Sequence, residues 1–169
     1  LIYQLLTFVR IMQSGGCMGP YVLEDQLRLA IDRNDLQEVT FLISKGADIN
    51  AKDKHGLTPL HWAVNSNMPV MAELLISCGC ELDARNETMD MTPLCLAAYN
   101  GSATMAALLL SHGARTDIAD AGGDTPHDVA LSMEHKGVAA LLAAATRIAA
   151  GKPSMTQTVS EPALHTVSA

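Results

Sequence analysis

Apolar residues in this chain fall in short stripes at helical spacing, and the stripes come in pairs. Leu27, Leu29 and Ala30 make one stripe. Leu36, Val39, Phe41, Leu42 and Ile43 make a second, just past the polar Asp32-Arg33. The pairing returns with Leu60 and Ala63, followed by Met71, Ala72, Leu74, Leu75 and Ile76. Apolar positions three and four residues apart predict amphipathic helices, whereas strands would alternate. The break between the two stripes, Asn65-Ser66-Asn67, is rich in a residue that tolerates left-handed backbone. The pattern closes on the Ala-rich run Val138-Ala139-Ala140-Leu141-Leu142-Ala143. The expected class is all-α, built from helix–turn–helix units.

Two landmarks fix the period. Thr58-Pro59-Leu60 recurs as Thr92-Pro93-Leu94 and as Thr125-Pro126-His127, with threonines 34 and 33 residues apart. Gly46, Gly79 and Gly113 recur at 33 and 34. The extra residue falls between Gly79 and Thr92 in both series, and is best placed in the turn Asn86–Met91. Insertions in a repeat belong to its loops. Each landmark has a physical task. A threonine caps a helix through its hydroxyl, and a proline at the first helical position loses no needed hydrogen bond. The glycine ends the second helix in a left-handed cap. The first unit lacks Thr-Pro-Leu, and Asp25 is its expected cap.

These residues resemble the ankyrin repeat, whose signature T-P-L-H-x-A recurs about every 33 residues. Thr58-Pro59-Leu60-His61-Trp62-Ala63 matches every fixed position. The third copy departs at Cys95, and the fourth at His127 and Asp128. Gly46-Ala47-Asp48-Ile49-Asn50-Ala51 is similar to the family's post-helix segment. The resemblance implies an ankyrin-repeat solenoid of about four units with short turn or hairpin connections, at about 21–52, 53–85, 86–119 and 120–146. It also implies that His61 makes turn hydrogen bonds. Atypical end copies are expected because their outer faces meet water. His127 at a normally apolar position predicts a looser last first-helix.

Composition narrows the partner. Apolar residues make up 49% of the chain but aromatics only 4%, so the core must come from small aliphatic side chains. The formal charge of −7 disfavours phosphate backbones and anionic lipid, so neither nucleic acid nor membrane is the expected partner. Cys17, Cys78, Cys80 and Cys95 lack the ligand pairs a zinc site needs, and no metal or cofactor is expected. A chain long enough to bury a core without staples points to reduced thiols, hence to cytoplasm or nucleus. Residues 1–12 are apolar but shorter than the roughly 20 residues of a membrane span. They read as a terminal segment covering the core, joined by a Gly-rich linker through residue 20. Residues 147–169 are rich in Ser and Thr without period and read as a disordered tail.

Function is expected where the copies differ. In the ankyrin family the turn tips and first helices line a concave face that holds partners. Here the turns carry Lys54, His55 and Leu57, then Glu87, Met89 and Met91, then Asp124. The ends of the first helices carry Arg33, Asn65, Tyr99, Asn100 and Met133. Apolar side chains in turns have no folding reason to be exposed and often anchor interfaces. Leu57, Met89, Met91 and Tyr99 are therefore the preferred contacts, although Leu57 and Met91 could equally pack on a neighbouring turn. Trp62 occupies the position of Leu29, Leu96 and Val129 and reads as packing. Asp48, Asp83 and Asp117 read as recurring architecture, and Asp124 and Asp128 as helix-start carboxylates rather than an acid–base pair with His127. No nucleophile elbow, phosphate loop or zinc-protease motif is present. The expected function is a non-catalytic protein-binding module, a monomeric scaffold, adaptor or inhibitor. The chain opens on Leu1, not Met, which leaves a second reading: a regulatory repeat domain cut from a larger enzyme or ion channel.

Overall fold

A computed structural model describes residues 21–149. The readings made for residues 1–20 and 150–169 lie outside the described residues. The described residues form helices in four successive pairs: α1 (Tyr21–Asp32) with α2 (Leu36–Ser44), α3 (Pro59–Asn65) with α4 (Pro69–Ser77), α5 (Pro93–Tyr99) with α6 (Ala103–Ser111), and α7 (Pro126–Ser132) with α8 (Lys136–Ala149). No strand occurs among the described residues. The first helices stack in one row, α1 on α3 on α5 on α7. The second helices α4, α6 and α8 stack in another.

The periodic residues fill the space between the rows. Leu27, Leu60 and Leu94 come from first helices, and Leu42, Leu75, Leu109 and Leu142 from second helices. All are buried. Each such side chain contributes about 1.5–3 kcal/mol over an exposed one. Ala30, Ala63, Ala97 and Ala130 share a register position, and all are buried, which lets neighbouring backbones approach closely. Leu131 shows what stacking does. Its counterparts Ile31, Val64 and Ala98 are almost fully covered by the next unit, whereas Leu131, in the last described first helix, is 53% exposed.

Helix starts follow the expected chemistry. Thr58, Thr92 and Thr125 share an extended backbone, with φ of −82°, −81° and −73°. The Thr92 hydroxyl accepts the Cys95 N–H at 3.2 Å. Helix ends are set by left-handed residues. Asn34, Asn67, Gly101 and Glu134 close the four first helices at φ of 54°, 51°, 69° and 61°. Gly46, Gly79 and Gly113 close three second helices at 91°, 86° and 88°.

Four expectations need correction. Asp25 does not cap α1. The helix starts at Tyr21, and the added turn packs Leu23 against the core. His127 does not shorten α7, which matches its predecessors at seven residues because Thr125 and Asp128 close a reciprocal capping box. Residues 147–149 are helical. Thr146 stands where Gly113 stood one unit earlier, so nothing halts α8 until Ala149. The recurring architectural series is Asn50, Asp83 and Asp117, not one that includes Asp48. Asn50 Oδ1 accepts the Glu81 N–H at 2.8 Å and Asp83 Oδ1 accepts the Arg115 N–H at 3.0 Å, while Asp48 serves only its own turn.

Replacing Gly79 by valine should lower the melting temperature through backbone strain alone, since a Cβ there meets nothing within 4 Å. The expected loss is about 1–2 kcal/mol, read by thermal unfolding, and Gly79→Asn should lose less.

Candidate partner-binding face

One turn design, used three times, holds the exposed tips. Asp53 Oδ1 accepts the backbone N–H groups of His55 and Leu57 at 2.8 and 2.9 Å. Asp120 Oδ1 does the same for Gly122 and Asp124 at 2.9 and 3.0 Å. Asn86 Oδ1 reaches Met89 and Met91, both at 3.1 Å. The spacing there is one residue longer, so the insertion sits in the turn as expected. Tips also bond to one another. The Glu87 N–H donates to the His55 carbonyl at 3.3 Å, and the Ala121 N–H to the Met89 carbonyl at 2.9 Å.

His61 ties this layer to the helices. It is fully buried. Its Nδ1 accepts the Thr58 N–H at 3.2 Å and lies 2.8 Å from the Thr58 hydroxyl, while Nε2 donates to the Met91 carbonyl at 3.1 Å. Burial holds the imidazole below its ordinary pKa, against the opposing pull of the Met91 carbonyl. The ring is thus a neutral cross-brace between two turns. Cys95 occupies the same register in the next unit, and its thiol donates to the Ile118 carbonyl at 3.7 Å.

Most of the sequence-derived contacts are displayed as expected. Arg33, Lys54, His55, Asn65, Glu87, Asn100 and Asp124 are exposed. Met89 is 52% exposed, Tyr99 43% and Met133 39%. Leu57 is half-buried. Met91 is a correction: it is 6% exposed, packed inward at the end of a turn, with its N–H and C=O both bonded, to Asn86 Oδ1 and to His61 Nε2. The ends of α5 and α7 are joined, since His135 Nε2 lies 3.1 Å from the Tyr99 carbonyl.

Sequence reasoning missed a cleft at the other end of this face. Glu24, Leu27 and Arg28 of α1 face Lys52, Lys54, His55, Leu57 and Trp62 across a space of about 710 Å³. Trp62 packs on the core, as expected, but also lines this cleft. The Arg28 guanidinium lies 5.9 Å from the Trp62 ring centre, within cation–π range. Charge changes along the tips. The turn before α3 has Lys52, Lys54 and His55 against Asp53. In the turn before α5, Arg85 is taken up by Asp90 at 2.7 Å, leaving Glu87. The turn before α7 has Asp120 and Asp124 and no cation.

The buried thiols and the carboxylate at the start of α7 are muted or occupied. Burial pushes the Cys80 thiol up to about 11 and raises that of Cys95, so neither is a ready nucleophile. Asp128 is held low first by the Thr125 hydroxyl at 2.6 Å, a capping duty. Among the described residues no helix is long and apolar enough to cross a membrane.

A family model of ankyrin repeats, in three copies, matches residues 24–86 and 71–151. The chain belongs to the ankyrin-repeat family. Ankyrin repeats are protein-interaction modules. The chain is 33% identical over 132 residues to human cyclin-dependent kinase inhibitor 2A, covering 78% of this chain and 83% of that protein. It is 37% identical over 102 residues to an ankyrin repeat protein of Fowlpox virus (strain NVSL), covering 59% of this chain but 30% of the viral one. It is 32% identical over 98 residues to a transient receptor potential cation channel subfamily A member 1 homolog of Caenorhabditis elegans, covering 58% of this chain and 8% of the channel. The chain thus spans under a third of two of these three relatives.

The buried His61 makes this ankyrin stack sensitive to acid. The unfolded chain takes up a proton near the ordinary value of 6.5, which the folded ring resists. Stability should therefore be full above that pH and fall as pH drops below it. Urea unfolding across this range should show a steeper acid loss for the wild type than for His61→Gln.

Proposed function

We propose that this chain is a non-catalytic module that grips a partner protein with its turn tips and first-helix ends. The observation that carries the reading is the exposure of Met89, Tyr99 and Met133 on turns and helix ends that the hydrogen-bonded stack holds rigid. Large apolar groups fixed at a surface make interface anchors at little entropic cost. Arg33, Lys54, His55, Asn65, Glu87, Asn100 and Asp124 supply a polar rim, and Leu57 a half-covered neighbour. The partner is a protein, engaged by a monomer in cytoplasm or nucleus without cofactor, metal, nucleic acid or membrane insertion. The name of the human relative, which this chain covers for most of its length, supports action as an inhibitor that occupies a partner's surface.

A second reading has its own support. The channel relative is matched over 8% of its length, which is the relation expected of a regulatory repeat segment within a larger protein. Both readings use the same face.

The double variant Met89→Glu and Tyr99→Glu should cut partner recovery at least about tenfold in affinity purification read by mass spectrometry. The helical circular-dichroism signal should stay intact. Unchanged recovery would move the binding face elsewhere.

A further inference from the structure

Two residues that line the cleft between α1 and the turn before α3 each carry a buried polar atom that lacks a partner. Among the described residues, Trp62 Nε1 and Glu24 Oε2 are sealed from solvent and make no hydrogen bond. Buried polar atoms are almost always satisfied, and each orphan calls for an explanation. One is a donor and the other an acceptor, and both belong to residues that line the same space. The complement of that pair is a peptide unit, which offers one C=O and one N–H. A small rotation of the two side chains would present both atoms to such a unit, a change typical of interface residues on binding.

The walls and rim add further chemistry. Leu57 and the Trp62 ring, both half-buried, form an apolar wall fit for an aliphatic or aromatic side chain. Lys52 and Lys54 stand exposed on the turn and make no ion pair among the described residues. Of the carboxylates that line the cleft, Asp53 is engaged by two N–H groups of its own turn, while Glu24 and Asp25 stand on α1, across the cleft from the two lysines. The last described turn, with Asp120 and Asp124, would repel the same acidic groups, so they fit only at this end.

We propose that this cleft takes an extended, acidic peptide segment of the partner. Its backbone bonds to Trp62 Nε1 and Glu24, one apolar side chain rests on Leu57 and Trp62, and its carboxylates meet Lys52 and Lys54. This rests on the reading of the chain as a binding module and assigns the partner's chemistry and direction along the face.

The test selects displayed random peptides on the full chain. Trp62 is its only tryptophan, so its emission reports directly on the cleft. Selected peptides should be acidic around one apolar residue and should shift that emission saturably. The pair Lys52→Glu and Lys54→Glu, both on exposed side chains, should weaken them about tenfold or more by fluorescence polarisation of labelled peptide. Trp62→Phe keeps an aromatic ring but loses the donor, and should weaken them about fivefold. Selection of basic or neutral peptides, failure to select any, or acidic peptides indifferent to these variants would overturn the proposal. Partner recovery that needs Met89 and Tyr99 but not Lys52, Lys54 or Trp62 would overturn it too, while leaving the binding-module reading intact.

Discussion

The contact between consecutive units is the constraint on which everything else depends. No helix pair here can hide its own apolar stripe. Val64 and Ala98 are covered only because another unit follows. Stability is therefore distributed along the stack in nearest-neighbour steps. This explains why aliphatic and small residues suffice, and why the few polar groups inside are braces. His61 spans two turns at the cost of a neutral ring, and Cys95 does a weaker version of the same work.

From that contact follows the division between interior and display. The helices are committed to packing, so their most deeply buried register positions repeat, as Leu27, Leu60 and Leu94 or Ala30, Ala63, Ala97 and Ala130 do. The turns are committed only to a hydrogen-bond scheme that one Asp or Asn at the base provides. The side chains beyond it are free to differ, as Lys54, Glu87 and Ala121 do. Rigidity and variety thus coexist within a few residues. The charge change along the tips arises in those free positions, while the hydrogen bonds beneath them stay the same.

Much of this was legible in the sequence, for identifiable reasons. Thr-Pro and Gly at a fixed period reveal helix starts and stops because they act through local backbone chemistry. The exposure of Met89 and Tyr99 was legible because periodicity reveals what does not fit the core. The errors were non-local. Met91 looks like Met89 in a turn, and only its burial against the neighbouring units shows that it lies inward. Glu24 and Arg28 carry no motif, and they join Lys52 and Trp62 only when α1 lies beside the next turn. The available signal was the run Lys52-Asp53-Lys54-His55, a local pair of lysines in an acidic chain, a few residues before the sole tryptophan. Asp25 failed as a cap because a further turn upstream gains the packing of Leu23 on the core.

The longer turn at Asn86 has a wider consequence. One side-chain amide satisfies backbone groups three and five residues on, where its counterparts satisfy those at two and four, and the helix that follows keeps the Thr-Pro start of its counterparts. An added residue is absorbed within the turn. Loop length is therefore a variable that such a molecule can alter at will. New specificities can be acquired at the tips by insertion as readily as by substitution, and the interior never has to adapt to them.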